Sequence, residues 1–269
     1  MWRNYTPQVM FIDSFFFDFD GTLQSFNHHS ISDSTKEALF KLKKKGYKIF
    51  IATGRNLLDL PQDLNQFGFD GYINNNGGMC SDENRNPFHV DYISTQDIQA
   101  LLAYDQENPF AFSFMTEKGF SINRINDKVE KSFNYFGMQI PELMNVDEID
   151  LTKIMQMNFF VDEKQEVYLM NEVMKNSESS RWIEYFADIN PKGISKMKGI
   201  EKMAERNQID LSKTMAFGDG GNDITMVKGC TIGVAMGNAN QSLKDVADYV
   251  TSSVDEDGIW NALSYYQII

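Results

Sequence analysis

Three consecutive phenylalanines, Phe15, Phe16 and Phe17, lead directly into Asp18. A short run that is apolar at every position, rather than at alternate positions, is typical of a strand buried on both faces of a parallel sheet. Parallel strands are joined by crossover connections, usually helices that cover the faces of the sheet. The run therefore favours an α/β fold in which Asp18 follows the end of a buried strand.

Helical and strand patterns alternate along the chain after this run. A helix is predicted over residues 34–45, where Ser34 and Glu37 have the spacing of a capping box. Further elements are predicted as an apolar strand over 47–52, a helix over 57–67 that Pro61 starts or breaks, and a strand over 71–74. This order predicts a doubly wound parallel sheet, that is, a Rossmann-like core.

The alternation is then interrupted. Residues 80–90 have the pattern of a hairpin, and the following segment mixes helices with alternating strands until the α/β pattern returns after Asn190. These changes predict a discontinuous α/β core over residues 1–82 and 191–269, with an α+β cap inserted at 83–190.

The remaining elements follow from the same patterns. Within the insert we predict helices over 95–106, 126–136 and 163–175 and strands over 110–116, 119–123, 153–161 and 181–188. After it we predict helix 195–206, strand 213–217, helix 222–228, strand 231–235 and helix 240–246. Residues 1–13 are predicted to be a short extension.

Charge and composition limit the partners. The chain has 38 acidic and 25 basic residues, a net charge of −13, which argues against nucleic acid and against an anionic membrane surface. We find no apolar run of the roughly 18–20 residues that span a membrane, and no signal-peptide pattern. The two cysteines, Cys80 and Cys230, lack metal-ligand spacing. We therefore expect a cytoplasmic protein, either a monomer or a small homo-oligomer.

Short polar segments follow three of the predicted core strands. They are Asp18-Phe19-Asp20-Gly21-Thr22 after the first strand, Thr53-Gly54-Arg55 after the second and Gly218-Asp219-Gly220-Gly221-Asn222-Asp223 after the fourth. Ligands of an open parallel sheet bind beyond the carboxyl ends of its strands, so these segments are expected to meet at one edge. An isolated Asp-x-Asp is usually a solvated turn, but two acidic clusters at strand ends of one sheet favour a site.

The residue types in these segments suit phosphoryl transfer. Asp18, Asp20 and Asp219 repel one another when crowded, which favours a hard divalent cation such as Mg²⁺. Asp18 can then attack phosphorus to give an aspartyl-phosphate, while Asp20 protonates the leaving oxygen and later deprotonates water. The Thr53 hydroxyl can donate to phosphoryl oxygens, and a lysine is still needed to balance the developing charge.

Together the segments resemble the motifs of the haloacid dehalogenase superfamily of phosphatases. The first motif is matched by residues 18–23, the second by 53–55 and the fourth by 218–223. The third motif is a lysine that opens a helix, and Gly193-Ile194-Ser195-Lys196 is similar to the Gly-Val-Ser-Lys stretch of the Cof-type subfamily. The register of this stretch favours Lys196 over its rivals, Lys192 and Lys198.

Two further features resemble the Cof-type subfamily. The insert between the second and third motifs has the size and position of that subfamily's cap, which is of the C2B type. Asn76-Gly77, which follows the third predicted strand, is similar to a segment that recurs in the subfamily. The resemblance covers the chain from Phe15 to its end.

The resemblance implies a role for each matching residue. It implies catalytic residues Asp18, Asp20 and Lys196; substrate- and phosphate-binding residues Thr53, Gly54, Arg55, Lys196 and Asn222; and metal ligands Asp18, Asp20, Asp219 and Asp223. It implies that Asp20 binds the metal through its backbone carbonyl and that Asp223 supports either the metal's waters or Lys196. For Arg55, a structural salt bridge is an alternative to contact with the ligand.

The resemblance also implies a function. We expect a Mg²⁺-dependent phosphatase of sugar phosphates, such as hexose phosphates, or similar small phosphomonoesters, with the cap closing over the site. Superfamily ATPases have a non-acidic residue at the position of Asp20, so an acid there favours fast hydrolysis of the phosphoenzyme. One alternative is a phosphotransferase or phosphomutase that uses the same intermediate. Another is a non-catalytic sugar-phosphate sensor, which would not require Asp20.

Overall fold

The computed structural model describes residues 11–141 and 143–269. The chain divides into two compact units, one made of the residues up to His89 together with Ser195–Ile269, the other of Val90–Ile194. Residues 1–10 of the predicted N-terminal extension lie outside the described residues.

The borders between the units lie a few residues beyond the predicted ones at 82/83 and 190/191. The reason is the position of two strands, one beyond the first predicted border and one across the second. Pro87–Val90 continues the sheet of the first unit, and Phe186–Pro191 belongs to the sheet of the second.

Strands and helices are numbered in chain order. The strands are β1 (Ser14–Phe17), β2 (Lys48–Ala52), β3 (Gly71–Asn74), β4 (Met79–Asp82), β5 (Pro87–Val90), β6 (Phe112–Thr116), β7 (Gly119–Ile122), β8 (Gln156–Phe159), β9 (Ser177–Ile183), β10 (Phe186–Pro191), β11 (Thr214–Gly218), β12 (Ile232–Ala235) and β13 (Tyr249–Val250). The α-helices are α1 (Asp33–Lys44), α2 (Thr95–Glu107), α3 (Asp127–Phe136), α4 (Glu163–Tyr168), α5 (Lys196–Asn207), α6 (Ile224–Gly229), α7 (Gln241–Lys244) and α8 (Gly258–Tyr265).

The first unit is built on a sheet with the strand order β13-β12-β11-β1-β2-β3-β4-β5 in the described part of the chain. The strands from β13 to β3 are parallel, and β4 is antiparallel to β3. Strand β1 lies between β2 and β11, so the winding of the chain reverses direction there. Ligands of doubly wound sheets bind at such a switch point. The predicted α/β class with a doubly wound sheet is confirmed.

Strand β1 is buried on both faces, as its sequence predicts. Phe15, Phe16 and Phe17 have no exposed surface. Phe16 stacks on Phe50 and Phe17 stacks on Phe217, with ring centroids 4.9 Å apart in each pair. These contacts tie β1 to both of its neighbours in the sheet and fix the position at which the loop after β1 begins.

Helix α1 covers the sheet with the predicted apolar stripe of Ala38, Leu39 and Leu42, all buried. Its N-cap is Ser32, whose side chain accepts a hydrogen bond from the Thr35 backbone N–H at 3.3 Å. The predicted cap two residues later is therefore wrong. Ser32 has the extended backbone that an N-cap needs, so the helix starts earlier than the capping-box spacing suggests.

Two other predicted elements differ from the structure. The predicted helix over 57–67 consists of two short 3₁₀ segments, Leu57–Asp59 and Gln62–Phe67, because Pro61 lies between them. The predicted strand over 181–188 is a hairpin, with β9 ending at Ile183 and β10 starting at Phe186.

The second unit has an antiparallel sheet in the order β7-β6-β8-β10-β9. In its core, Ile98 and Leu101 of α2 pack with Phe112, Phe114 and Phe159 of the sheet. The unit therefore has an apolar core of its own. Across the described ranges of both units, we find no helix with the length and apolar character that crossing a membrane requires.

Candidate active site

The loops after β1, β2, β3 and β11 lie side by side at one edge of the first unit's sheet, because these strands are adjacent and parallel. Backbone hydrogen bonds join them where the strands end. The Asp18 N–H donates to the Phe217 carbonyl at 2.9 Å, and the Thr53 N–H donates to the Ile73 carbonyl at 2.8 Å. The three polar segments that follow the predicted strands are thus neighbours.

Lys196 is the first residue of α5 and is completely buried. Its Nζ donates to Asp18 Oδ1 at 2.5 Å and to Asp223 Oδ1 at 2.6 Å. Lys192 and Lys198, the rivals for this position in the sequence, are exposed. The structure thus brings the predicted lysine together with the first and fourth segments.

Asp223 is bonded to the protein through both of its carboxylate oxygens. Oδ1 accepts from Lys196, and Oδ2 accepts from the backbone N–H groups of Asp219 at 2.9 Å and Gly220 at 2.8 Å. The side chain is completely buried. Asp223 therefore fixes both the ammonium of Lys196 and the loop that carries Asp219.

The charged groups perturb one another strongly. Burial raises the pKa of Asp18 well above its ordinary value, against the opposing effect of Lys196. Burial and the neighbouring Asp223 raise the pKa of Asp219 to about 7. For Lys196, burial disfavours the ammonium, but Asp18 and Asp223 outweigh that effect and raise its pKa. One ammonium thus faces more negative charge than it can balance, which favours binding of a cation.

Three carboxylates are arranged as a candidate metal site. One oxygen from each of Asp18, Asp219 and Asp223 lies within 4.8 Å of the others. Oxygens on opposite sides of one Mg²⁺ are about 4.2 Å apart, so the cluster has nearly the span of such a site. Hard oxygen ligands with excess negative charge fit a divalent cation. The side chain of Asp20 is not part of this cluster.

The Asp20 carboxylate is instead bound by Arg55 in a two-pronged ion pair. Arg55 Nε donates to Oδ2 at 2.7 Å, and Nη2 donates to Oδ1 at 2.6 Å. Both side chains are about one-third exposed. Contact of Arg55 with phosphate stays a prediction, and the salt bridge that was its alternative is present in the structure.

The other predicted phosphate-binding residues, Thr53, Gly54 and Asn222, lie at the same edge of the sheet as Asp18. Thr53 is buried, and its hydroxyl accepts a hydrogen bond from the Arg55 backbone N–H at 3.1 Å. A Cβ at Gly54 would be 3.6 Å from the Asn222 side chain, so the second and fourth segments face each other here. Asn222 is exposed, which leaves its amide accessible to a ligand.

Two asparagines at the site received no role from the sequence. The Asn238 amide donates to the Gly21 carbonyl at 2.8 Å and to Asp219 Oδ2 at 3.3 Å, while its own oxygen accepts from the Val254 N–H. Asn76 accepts a hydrogen bond from Asn222 at 2.9 Å. For Asn76, the resemblance of Asn76-Gly77 to a recurrent segment of the subfamily was a signal in the sequence. For Asn238, nothing in the neighbouring sequence indicated a place at the site.

Comparisons with known proteins agree with this geometry. Residues 15–263 match the family of haloacid dehalogenase-like hydrolases. The chain is 33% identical to YkrA of Bacillus subtilis over 248 residues, which cover 91% of this chain and 93% of YkrA. It is 28% identical over 258 residues to YcsE, the 5-amino-6-(5-phospho-D-ribitylamino)uracil phosphatase of the same organism, with 93% of each chain covered.

The fold is also similar to those of solved phosphatase structures. The fold is similar to that of BT1666 from Bacteroides thetaiotaomicron, a phosphatase of the haloalkanoate superfamily, with a TM-score of 0.90, 35% identity and 98% of each chain covered. It is also similar to BT4131, a sugar phosphatase of subclass IIB, with a TM-score of 0.82, 38% identity, and 96% of this chain and 100% of that one covered. The chain therefore belongs to the haloacid dehalogenase-like hydrolases, as a phosphatase of the Cof type.

Proposed function

We propose that this phosphatase hydrolyses phosphomonoesters of small metabolites, hexose phosphates in particular, with Mg²⁺ and through an aspartyl-phosphate on Asp18. The observation that carries the proposal is the buried contact of 2.5 Å between Lys196 Nζ and Asp18 Oδ1, next to the carboxylates of Asp219 and Asp223. A carboxylate held in this way is oriented for attack, and the ammonium can balance charge that develops on the phosphoryl group.

The residues present indicate how a metal would be held. Asp18 and Asp219 would supply carboxylate oxygens, and Asp20 its backbone carbonyl. When bound, the cation neutralises phosphate charge so that a dianion can approach the carboxylates. Both oxygens of Asp223 are already bonded to the protein, so we assign this residue to holding Lys196 and the Asp219 loop.

Two displacements complete the reaction. In the first, an oxygen of Asp18 attacks phosphorus, the bond from phosphorus to the leaving oxygen breaks, and the leaving oxygen takes a proton from Asp20. Asp20 can give this proton once one of its two oxygens is released from Arg55 and protonated. In the second, Asp20 takes a proton from water, whose oxygen attacks phosphorus. The bond between phosphorus and Asp18 then breaks, which releases inorganic phosphate and restores both carboxyl groups. Thr53, Lys196 and Asn222 hold the phosphoryl oxygens.

The proposed substrate class is supported by the relatives. BT4131 is described as a sugar phosphatase and shares 38% identity with this chain over most of its length. YcsE acts on a phosphorylated ribityl compound, which is also a small polyhydroxylated phosphomonoester. A substrate panel should therefore contain hexose phosphates, pentose phosphates and ribityl phosphates.

The test is such a panel, run with Mg²⁺ on the wild type, on Asp18→Asn and on a control variant, Asp210→Asn. Asp210 is exposed and bonded to Ser212, so the control removes a carboxylate away from the site. We expect Asp18→Asn to stay folded by circular dichroism and to lose activity by roughly 10³-fold or more, because the attacking charge is removed. An equally active Asp18→Asn variant would refute the nucleophile assignment.

Product analysis on the same panel separates the alternatives. Free phosphate with no isomeric sugar phosphate is the result expected of a hydrolase. An isomeric or transferred phosphate would identify a mutase or phosphotransferase. If no compound is turned over while sugar phosphates still bind, the sensor interpretation replaces this one.

A further inference from the structure

The turn after β3, Asn74–Gly77, has an unusual backbone. We call these four residues the asparagine turn. Asn75, Asn76 and Gly77 have φ angles of 49°, 56° and 103°, so three consecutive residues lie in the left-handed region. Asparagine and glycine adopt this region more readily than other residues. Such backbone strain is concentrated at functional sites, where the surrounding structure holds it in place.

The asparagine turn is fastened to the second polar segment. The backbone N–H of Asn76 donates to the Thr53 carbonyl at 3.1 Å. The backbone N–H of Asn75 and the side-chain amide of Asn74 both donate to the Arg55 carbonyl, at 3.1 Å and 3.2 Å. Three hydrogen bonds therefore hold the strained turn against the loop that carries Thr53.

The same turn contacts the start of α5. A Cβ at Gly77 would lie 2.1 Å from the carbonyl oxygen of Ser195, so only glycine permits this approach. Ser195 is the N-cap of α5 and directly precedes Lys196. The turn thus lies against the backbone that presents the lysine.

Asn76 connects the turn to the fourth segment. Its Oδ1 accepts a hydrogen bond from Asn222 Nδ2 at 2.9 Å. The same side chain lies against Gly54, since a Cβ there would be 3.1 Å from Asn76 Oδ1. Asn222 is itself exposed, so without this bond little would hold its amide in one orientation.

We propose that Asn76 is a positioning residue that acts through Asn222. By accepting one N–H of the Asn222 amide, Asn76 keeps the other N–H directed toward the phosphoryl group, within the loops that also present Thr53 and Lys196. This inference rests on the proposed function for the phosphoryl-binding role of Asn222. Asn76 itself makes no contact with the reacting atoms in this scheme.

The test is a double-mutant cycle with Asn76→Gly and Asn222→Ala. Glycine is chosen because it tolerates the positive φ of position 76, so the variant removes the side chain without adding backbone strain. The matched control is Gln208→Gly, a polar residue at φ 53° that forms the C-cap of α5 and is exposed. Three quantities are measured: the dissociation constant of orthovanadate with Mg²⁺ present, kcat/KM for p-nitrophenyl phosphate, and the Mg²⁺ concentration for half-maximal activity.

We expect Asn76→Gly to weaken orthovanadate binding by about 3- to 10-fold, the range of one net hydrogen bond. Adding it to Asn222→Ala should change binding by no more than about twofold further, because the residue acts through Asn222. The Mg²⁺ concentration for half-maximal activity should stay unchanged, which a general loss of structure would not allow. The control should resemble the wild type.

The inference would be overturned if Asn76→Gly bound orthovanadate as tightly as the wild type. It would also be overturned if the fold-change in the dissociation constant of the double variant equalled the product of the two single fold-changes, because the residues would then act independently. A wild type that binds orthovanadate but hydrolyses nothing contradicts the proposed function, and the cycle on the dissociation constant still decides the role of Asn76. A wild type that fails to bind orthovanadate refutes both.

Discussion

At the scale of single residues, the ion pair of Arg55 and Asp20 changes the role expected of the arginine. Its Nε and Nη2 are bonded to Asp20, and its Nη1 donates to the Asp59 carbonyl at 3.2 Å. The guanidinium carbon also lies 4.9 Å from the centre of the Phe19 ring. Every nitrogen of the guanidinium thus has a partner within the protein. We therefore expect Arg55 to orient Asp20 rather than to bind phosphate.

This role predicts a specific kinetic effect for Arg55→Lys. Lysine keeps the positive charge but loses the two-pronged geometry. We expect kcat to fall by about tenfold or more, as part of the 10²–10⁴-fold that acid–base catalysis typically contributes, while KM changes by less than about twofold. Steady-state kinetics on a good substrate measure both constants.

The control for this experiment is Arg206→Lys, since Arg206 is half-exposed and pairs loosely with Asp82 at 3.7 Å. A rise in KM at unchanged kcat in Arg55→Lys would show that Arg55 binds the phosphate, as the resemblance implies.

At the scale of secondary structure elements, the turn after β1 allows the two acidic loops to approach each other. Gly21 has a φ of 76°, and a Cβ there would lie 2.2 Å from Asp219 Oδ2. The Gly21 N–H also donates to the Gln24 carbonyl at 2.8 Å, which closes the turn. Position 21 therefore requires glycine for two reasons: the backbone has a positive φ, and the Asp219 carboxylate occupies the space that a side chain would need.

Two alanine substitutions separate these requirements. Gly46 has a similar φ of 83° and no atom within 4 Å of an added Cβ. Gly46→Ala should lower the free energy of unfolding by about 1–2 kcal/mol through backbone strain alone, and leave activity unchanged. Gly21→Ala should lower it by about 1–3 kcal/mol more and weaken Mg²⁺ binding, because Asp219 must shift.

Urea unfolding and titration of activity with Mg²⁺ measure the two effects. Equal losses of stability in both variants, with unchanged Mg²⁺ dependence, would show that the two loops do not meet at Gly21.

At the scale of the whole molecule, each unit has a core of its own, and the acidic cluster lies entirely in the first. Asp18, Asp219 and Asp223 concentrate in one place part of the negative charge of a chain whose net charge is −13. Repulsion within the cluster should therefore destabilise the protein when no cation is bound, and a ligand that binds only the folded state should stabilise it.

Asp219→Asn tests this coupling. In the presence of a chelator the variant should have a higher Tm than the wild type, because one of the repelling charges is gone. Excess Mg²⁺ should raise the Tm of the wild type, by the equivalent of about 2.7 kcal/mol at 100 times Kd, but should have little effect on the variant. Asp210→Asn, on the exposed surface, is the control.

Thermal unfolding followed by fluorescence measures these shifts. A wild type whose Tm does not respond to Mg²⁺, or a variant that responds equally, would contradict the assignment of the cluster as the metal site.

The sequence alone predicted the central elements of the first unit and the order of its polar segments. These predictions need only local sequence information. An apolar run indicates a buried strand, and the residue that follows the run lies at the carboxyl end of that strand. The sequence alone therefore predicts that Asp18, Thr53 and Asp219 lie at one edge of the sheet. The register supplied by the resemblance pointed to Lys196, and in the structure Lys196, rather than Lys192 or Lys198, donates to Asp18.

Only the tertiary structure decided which side chains pair. The bonds of Arg55 to Asp20, of Asn222 to Asn76 and of Asn238 to Asp219 join residues that are distant in sequence or lie on different loops. The hairpin between β9 and β10 was missed for a related reason, since the pattern continues through the turn. Sequence patterns report the burial of each strand and helix, whereas pairing depends on how strand order and loop paths bring separate segments within hydrogen-bond distance.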